Sequence, residues 1–372
     1  MFFKDVIGQN ELKSHLIREI KNEKVSHAQL FLGQSGYGTL PLALAFIQYL
    51  FCENKRENDS CGVCASCKKN LDLQHPDIHF TFPIVLAEDK FCDPLLPRWR
   101  EIIKEKPYFS YEDWTEKIDK KLRKPVIGTD ESAQIVRKLA LKSYEGGYKV
   151  LLIWKADEMN HVFANKILKI LEEPPEKTLI ILIAENQENL LQTIVSRTQI
   201  VKIPFILQSE LSAHIQNKFS LESSLADSIA SQSEGNYIQA SYLISGEDIQ
   251  AKNREIFIQL MRCAFKKNAI DMINWAEEIS QFGKEKQKNF LTYSLYMLRH
   301  CLLKNYQMGM LSMLSKEEEE FLKNFARFIT NNNIFKFYDF INQAYFFLDR
   351  NANPKLVFTN MAFNSMRYIH LA

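Results

Sequence analysis

Four cysteines in one short segment are the clearest candidates for chemistry in this sequence. Of its seven cysteines, four lie within residues 52–67: Cys52, Cys61, Cys64 and Cys67. Four thiolates have the number and softness that a tetrahedral structural zinc ion requires, and they leave no open position for a substrate. In a reducing compartment such a cluster binds metal more often than it forms disulfides. We therefore predict a closed zinc site, with a metal-free or disulfide-linked cluster as the alternative. His75 and His79 are possible substitute ligands, and a structural role is the simpler interpretation of both.

A glycine-rich turn, Gly33-Gln-Ser-Gly-Tyr-Gly38, follows the first apolar run of the chain. A phosphate-binding loop belongs at such a place, with the motif G-x-x-x-x-G-K-[ST], whose Lys reaches the phosphates and whose hydroxyl binds magnesium. Here Thr39 stands in the Lys position and Leu40 in the hydroxyl position. Backbone N–H groups around Gly33, Gly36, Gly38 and Thr39 could still hold an anion. A tight glycine turn without nucleotide is the interpretation that we favour.

The segment after the strand predicted at 150–154 lacks the acidic pair of an ATPase. In such folds an Asp at this strand end holds magnesium and a Glu activates water. Trp154 and Lys155 occupy those positions, and Asp157 and Glu158 come about three residues late. We interpret the two carboxylates as ordinary solvated or helix-start groups. Two independent losses argue against intrinsic hydrolysis.

Apolar runs alternate with helical patterns over the first 200 residues. Strands are predicted at 28–32, 79–83, 150–154, 179–184 and 200–203, and helices at 10–23, 40–51, 131–143, 161–172 and 190–194. Fully apolar strands that alternate with helices indicate a parallel sheet covered on both faces.

Three domains are predicted from where the strand signals stop and where polar stretches interrupt the pattern. They are an α/β domain at 1–204, containing the cysteine segment 52–67 and a helical insertion at 84–128, a small helical domain at 205–247, and a larger helical domain at 248–372. Spaced apolar residues in the last domain are candidates for its core or an interface: Phe257, Leu260, Phe265, Phe290, Leu291, Tyr296, Leu298, Leu302, Phe321, Phe325 and Phe328.

Composition excludes several classes of protein. The chain has 372 residues, 46% hydrophobic and 25% charged, as in ordinary soluble globular proteins. Its 47 Lys and Arg against 45 Asp and Glu leave a formal net charge of +2, so bulk charge does not attract nucleic acid or anionic lipid. The N-terminal segment lacks the long apolar core of a signal peptide, and no apolar run reaches the roughly 20 residues of a membrane span. We expect a cytoplasmic protein.

Several stretches together carry a family resemblance. They are Ile7-Gly8-Gln9, Ser26-His27-Ala28, the loop at Gly33, the cysteine spacing, His75-Pro76-Asp77, Lys149-Val150, the run from Ala164 to Pro175 that contains Leu-Glu-Glu-Pro-Pro, and Thr193-Ile194-Val195-Ser196-Arg197. In these the chain resembles the bacterial clamp-loader subunits of DNA polymerase III, an AAA+ family, and most closely their delta-prime branch. The resemblance covers about residues 5–245, in order.

The resemblance implies an α/β plus all-α architecture: an AAA+ parallel-sheet domain with a zinc-binding loop, a small helical lid and a C-terminal helical collar. It implies a ring with delta and tau/gamma subunits that loads the sliding clamp onto primer-template DNA as part of the polymerase holoenzyme. The family's Ser-Arg-Cys motif supplies an arginine finger to a neighbour's ATP site, and its Arg matches Arg197. Thr198 replaces the Cys, and Ile238 stands where motor subunits hold a nucleotide-sensing Arg.

The resemblance predicts a subunit that does not hydrolyse ATP, binds no ATP productively and carries structural Zn²⁺. Two alternatives remain at this point. An active tau/gamma-like ATPase subunit is disfavoured by Thr39 and Leu40, and a zinc-dependent DNA-binding module is disfavoured by the near-neutral charge.

Overall fold

The chain forms two compact units. We describe a computed structural model that covers residues 1–121, 123–245, 247–306, 314, 316–350 and 352–371. The units are Met1–Ser241 and Tyr242–Ala372. The border expected after residue 204 lies inside the first unit, and the one expected after 247 lies shortly beyond its end. The division into three domains remains a prediction.

A parallel sheet organises the first unit. Among the described residues its strands are β1 (Ala28–Leu32), β2 (Ile78–Thr81), β3 (Lys149–Ile153), β4 (Thr178–Ala184) and β5 (Gln199–Lys202). Their order is β2-β3-β4-β1-β5, and every neighbouring pair is parallel. The predicted parallel sheet is therefore confirmed. Each predicted strand corresponds to an observed one, with ends that differ by up to two residues.

Helices surround this sheet in the first unit. They are α1 (Asn10–Lys21), α2 (Thr39–Phe51), α3 (Ala65–Leu71), α4 (Leu96–Glu105), α5 (Tyr111–Ile118), α6 (Thr129–Ala140), α7 (His161–Glu172), α8 (Gln192–Val195), α9 (Gln208–Phe219), α10 (Ser223–Gln232) and α11 (Tyr237–Ser245), the last of which runs past the end of the unit. The helix predicted at 131–143 begins two residues earlier, at Thr129.

Both faces of the sheet are covered, because alternate residues of its strands enter different cores. On β3, Val150 and Leu152 join a core with α2, whereas Leu151 and Ile153 join a core with α6 and α7. Successive side chains of a strand point to opposite faces, so a strand with no polar alternation must be buried on both faces.

The start of α7 is defined by an N-cap residue. The side chain of Asn160 accepts a hydrogen bond from the N–H of Phe163 at 2.7 Å.

The segment 84–128 contains the helices α4 and α5 together with turns and an isolated β-bridge between Ile84 and Val126, and it packs on the α2 side of the sheet. Its two tryptophans, Trp99 on α4 and Trp114 on α5, are fully buried. Trp99 stacks on Phe82 with ring centroids 4.5 Å apart, and Trp114 Nε1 donates to the carbonyl of Pro83 at 2.7 Å. Trp99 also lies 5.2 Å from the ring of Trp154. The two tryptophans of the insertion therefore form part of the core on this face of the sheet.

The second unit is helical throughout its described part. Its helices are α12 (Glu247–Lys266), α13 (Ala269–Ser280), α14 (Lys284–Asn305), α15 (Lys316–Phe325), α16 (Ile334–Asp349) and α17 (Pro354–Ile369). Most of the candidate core residues lie in or against one apolar core here, including Phe257, Leu260 and Phe290. Phe265, which is 48% exposed, and Leu302, which is half-buried, lie outside that core. In the described part of the chain, no helix combines the length and apolarity needed to cross a membrane.

Candidate functional site

The four cysteines converge after α2. Cys52 follows the last residue of α2, Cys61 and Cys64 lie in the next loop, and Cys67 is on α3. Their sulfur atoms all lie within 4.8 Å of one another, and the Cys61 and Cys67 sulfurs are 3.9 Å apart. Tetrahedral zinc with Zn–S bonds of about 2.3 Å separates its sulfurs by about 3.8 Å. The cluster therefore has the size of a tetrahedral metal site, and it can hold one ion with structural zinc as the matching species.

Backbone N–H groups also point at these sulfurs. The N–H of Cys61 donates to the sulfur of Cys52 at 3.2 Å, that of Cys64 to Cys61 at 3.4 Å, and that of Cys67 to Cys64 at 3.4 Å. Hydrogen bonds from the N–H groups of Val63 and Cys64 lower the pKa of the Cys61 thiol to about 6. Donors aimed at sulfur stabilise thiolates, which are the form that binds metal.

The two histidines considered as substitute ligands lie outside the cysteine cluster. His75 is buried, its Nδ1 accepts from the N–H of Asp77 at 3.2 Å, and its Nε2 lies 3.0 Å from Glu145. Burial lowers the pKa of His79 to about 4 and keeps this side chain neutral. The metal-binding group found among the described residues consists of the four cysteines, without either histidine.

The glycine loop lies between β1 and α2 and is tightly covered. A side chain at Gly33 would come within 2.5 Å of the carbonyl of Ile203, and one at Gly36 would overlap the side chain of Asn236. Gly38 has φ +94°, a conformation that favours glycine, and it faces the hydroxyl of Tyr108. These contacts explain why glycines occupy the loop. Asn236 and Tyr108 carry no motif, so no sequence signal identified them as its neighbours.

Thr39 and Leu40, which stand where a phosphate-binding loop has Lys and a hydroxyl, point into the protein. Thr39 is 1% exposed and Leu40 is 3% exposed. Trp154, in the position of the magnesium-binding Asp, is buried against Trp99. Trp154, which follows β3, thus contributes to packing at the position where an ATPase would hold its magnesium ion.

Carboxylates do lie at this edge of the sheet, but each has a protein partner. Glu158 Oε2 is 2.8 Å from Lys124 Nζ, and Asp157 Oδ2 accepts from the N–H of Glu185 at 3.2 Å. Burial raises the pKa of both Asp157 and Glu158. Both side chains are half-buried and lie in the first turn of a short 3-10 helix, Ala156–Glu158, so of the two interpretations given for them the helix-start one fits and the solvated one does not.

An ion pair between the buried Lys155 and the half-buried Glu185 lies beside the loop and was missed from the sequence. Lys155 Nζ lies 2.8 Å from Glu185 Oε2, and the other oxygen of Glu185 accepts from Ser35, through its N–H at 3.0 Å and its hydroxyl. One signal was present: Lys155 and Glu185 each come just after an apolar strand. Carboxyl ends of adjacent parallel strands meet at one edge of a sheet.

Arg197 follows α8 and lies on the surface, 36% exposed. Its Nη2 is 2.7 Å from Glu172 Oε1, and its Nη1 donates to the carbonyl of Thr193 at 3.0 Å. Glu172 belongs to the Leu-Glu-Glu-Pro-Pro run at the end of α7, so two of the recognised motifs meet here. Ile238, in the position of a nucleotide-sensing Arg, is buried.

Comparison with known proteins identifies the family. Residues 8–206 match the family model described as DNA polymerase III, delta subunit. The chain is 25% identical to DNA polymerase III subunit delta' of Bacillus subtilis over 316 residues, 81% of this chain and 79% of that protein. It is 22% identical to subunit tau of the same organism over 377 residues, 96% of this chain but only 60% of the relative.

Among solved structures, a gamma-subunit-related DNA polymerase III protein from Thermotoga maritima matches with a TM-score of 0.43 and 14% identity, over 96% of this chain and 99% of that one. Two of the motifs that carry the resemblance, the cysteine spacing and the Leu-Glu-Glu-Pro-Pro run, lie inside the residues matched by the family model. The chain belongs to the family of bacterial DNA polymerase III clamp-loader subunits of the delta-prime type.

Proposed function

We propose that this chain is a clamp-loader subunit that hydrolyses no ATP itself and assists ATPase neighbours. The observation that carries the proposal is the closed glycine loop, in which Gly36 lies against Asn236 and Ser35 is bound to Glu185. Thr39 supplies no charge for a phosphate, and Trp154 supplies no ligand for magnesium. A loop that lacks the cation and the metal ligand, and whose Ser35 donors are occupied by Glu185, lacks the electrostatic stabilisation on which phosphoryl transfer depends.

Arg197 is the residue that we propose acts in catalysis, at the ATP site of a neighbouring subunit. An arginine finger must be exposed, always charged and able to bind phosphate oxygens with two N–H groups. The guanidinium of Arg197 is partly exposed, and it is held by carboxylate and carbonyl acceptors that a phosphate could replace. Support for this role comes from the resemblance of Thr193–Arg197 to the family motif.

The second unit is the proposed attachment to the ring. Helix α16 presents exposed aromatic side chains, among them Phe335 at 72%, Tyr338 at 55% and Phe346 at 49%. Residues 335, 338 and 346 fall on one side of a helix with 3.6 residues per turn. Large exposed apolar patches on a soluble protein are typical of interaction sites. Delta and tau/gamma subunits are the proposed partners, with the sliding clamp and primer-template DNA reached through the complex in the cytoplasm.

The zinc ion, held by the four cysteines, has a structural role in this proposal.

The test of the function is reconstitution with the ATPase and delta subunits, followed by clamp-loading assays with and without this chain. We expect loading onto primed DNA to require the chain, because it completes the ring. Loading at the same rate in its absence would refute the proposal.

An active ATPase is the second candidate, since the chain aligns with tau over 96% of its length. Titration of the purified chain with Mg-ATP separates the two. We expect no micromolar binding and no turnover, because the cation and metal ligand of the loop are missing. Micromolar affinity accompanied by hydrolysis would favour the ATPase.

A further inference from the structure

Several hydrogen-bond donors of the glycine loop bind acceptors within the chain itself. The N–H of Gly33 donates to the carbonyl of Ala184 at 3.1 Å, that of Tyr37 to Gln34 at 2.9 Å, and that of Gly38 to Ser35 at 3.4 Å. Ser35 differs from these, because both its N–H and its hydroxyl donate to a carboxylate oxygen, Glu185 Oε1. Donors converging on a negatively charged oxygen are what a phosphate-binding loop provides for its ligand.

Lys155 supplies the positive charge for this anion. Its ammonium lies 2.8 Å from Glu185 Oε2, and its side chain is 8% exposed. Burial opposes ionisation of Glu185, yet Lys155 and the donors of Ser35 hold the pKa of this carboxyl below its usual value. Burial likewise opposes the charge of Lys155, and Glu185 and Asp157 hold the pKa of the amine above its usual value. Both groups are therefore charged at neutral pH.

We propose that Glu185 is a built-in anion for the glycine loop: its carboxylate, neutralised by Lys155, occupies the donors of Ser35 and fastens the loop to the sheet edge without nucleotide. The inference rests on the proposed non-hydrolysing function and gives it a physical cause. A phosphate approaching Ser35 meets a carboxylate of like charge, and the nearest cation is already paired. The loop keeps its closed form because the ligand belongs to the chain itself. Glu185 is thus a positioning residue.

The test is calorimetric titration of the full chain with inorganic pyrophosphate. In the variant Glu185→Ala, Ser35 regains free donors and Lys155 loses its carboxylate, so we expect pyrophosphate to bind about tenfold or more tighter than to the unmodified chain. Glu188→Ala is the matched control, because it removes the same charge from an exposed position at the same sheet edge. Equal affinities of the two variants, or tight binding by the unmodified chain, would overturn the proposal.

A second variant covers the case in which the unpaired Lys155 prevents folding, since one buried charge without its partner is strongly destabilising. Lys155→Met combined with Glu185→Gln removes both charges and nearly preserves side-chain size. In this double variant we expect amide hydrogen exchange at residues 33–38 to accelerate about tenfold, because the charge-assisted hydrogen bonds are lost. We expect no pyrophosphate binding, because the cation is also removed. Unchanged exchange would contradict the fastening role. These measurements use the isolated chain, so they fail or succeed separately from the clamp-loading assay.

Discussion

Substitution of Arg197 by alanine is expected to stop most ATP turnover at the neighbouring site that this residue serves. A guanidinium that enters a water-excluded ATP site stabilises charge on the transferred phosphoryl group. In other enzymes, loss of such an arginine lowers the rate by a factor on the order of 10³ to 10⁵. We expect the ATPase rate at that site to fall by about 10³-fold. The total DNA-stimulated ATPase rate of the reconstituted complex should therefore fall by the fraction that this one site contributes. Steady-state ATPase of complexes with the variant and the unmodified chain measures it.

The structure indicates that this variant will fold. The Arg197–Glu172 pair is exposed on both sides, 36% and 48%, and exposed ion pairs contribute only about 0–1 kcal/mol. Lys202→Ala, which removes an exposed cation from β5, is the matched control and is expected to leave the ATPase unchanged. Arg197→Lys keeps the charge but cannot donate two parallel hydrogen bonds to a phosphate, so the ATPase rate of its complex should lie between those of Arg197→Ala and Lys202→Ala. A normal ATPase rate for Arg197→Ala would remove the finger role from the proposed function.

Substitution of Cys64 by serine is expected to release the metal. Three thiolates and a hydroxyl hold zinc poorly, whereas structural zinc sites contribute apparent free energies of about 10–16 kcal/mol in small peptides. Cys64 also caps α3, its sulfur accepting from the N–H of Cys67. Serine is a preferred N-cap, so the substitution removes a ligand while retaining the cap. Elemental analysis should find about one zinc per unmodified chain and almost none in the variant.

Loss of the metal should loosen residues 52–67 and leave the sheet intact, because the four cysteines form a cluster of their own beside the main core. Limited proteolysis of the unmodified chain and Cys64→Ser compares how readily residues 52–67 are cleaved. Circular dichroism compares the secondary structure of the two proteins. Cys263→Ser, at a buried cysteine in the second unit, is the control and should retain the zinc. Absence of zinc from the freshly purified native protein would exclude the zinc site itself.

Elements with strong local signals were predicted well. The strand Ala28–Leu32 and the helix His161–Glu172 have the predicted bounds. An apolar run between polar flanks and a helical stripe that ends at two prolines are each decided by neighbouring residues. Helix starts were less certain, as at Thr129, because a cap depends on the backbone that precedes it. The exposure of Phe265 was not predicted for a related reason: helical spacing alone does not show which side of a helix packs against the rest of the protein.

The chemistry that depends on short spacing was determined by the sequence alone. Cys52 to Cys67 lie in one loop and the start of a short helix, so their positions in the chain nearly define their geometry. Thr39 and Leu40 likewise remove the cation and the metal-binding hydroxyl of the phosphate-loop motif wherever the loop lies. Tertiary structure decided the rest. Ser35 and Glu185 are 150 residues apart, and Lys155 joins them only because β3 and β4 are adjacent parallel strands that end at the same edge. Strand order is set by the packing of the whole sheet, and no local pattern encodes it.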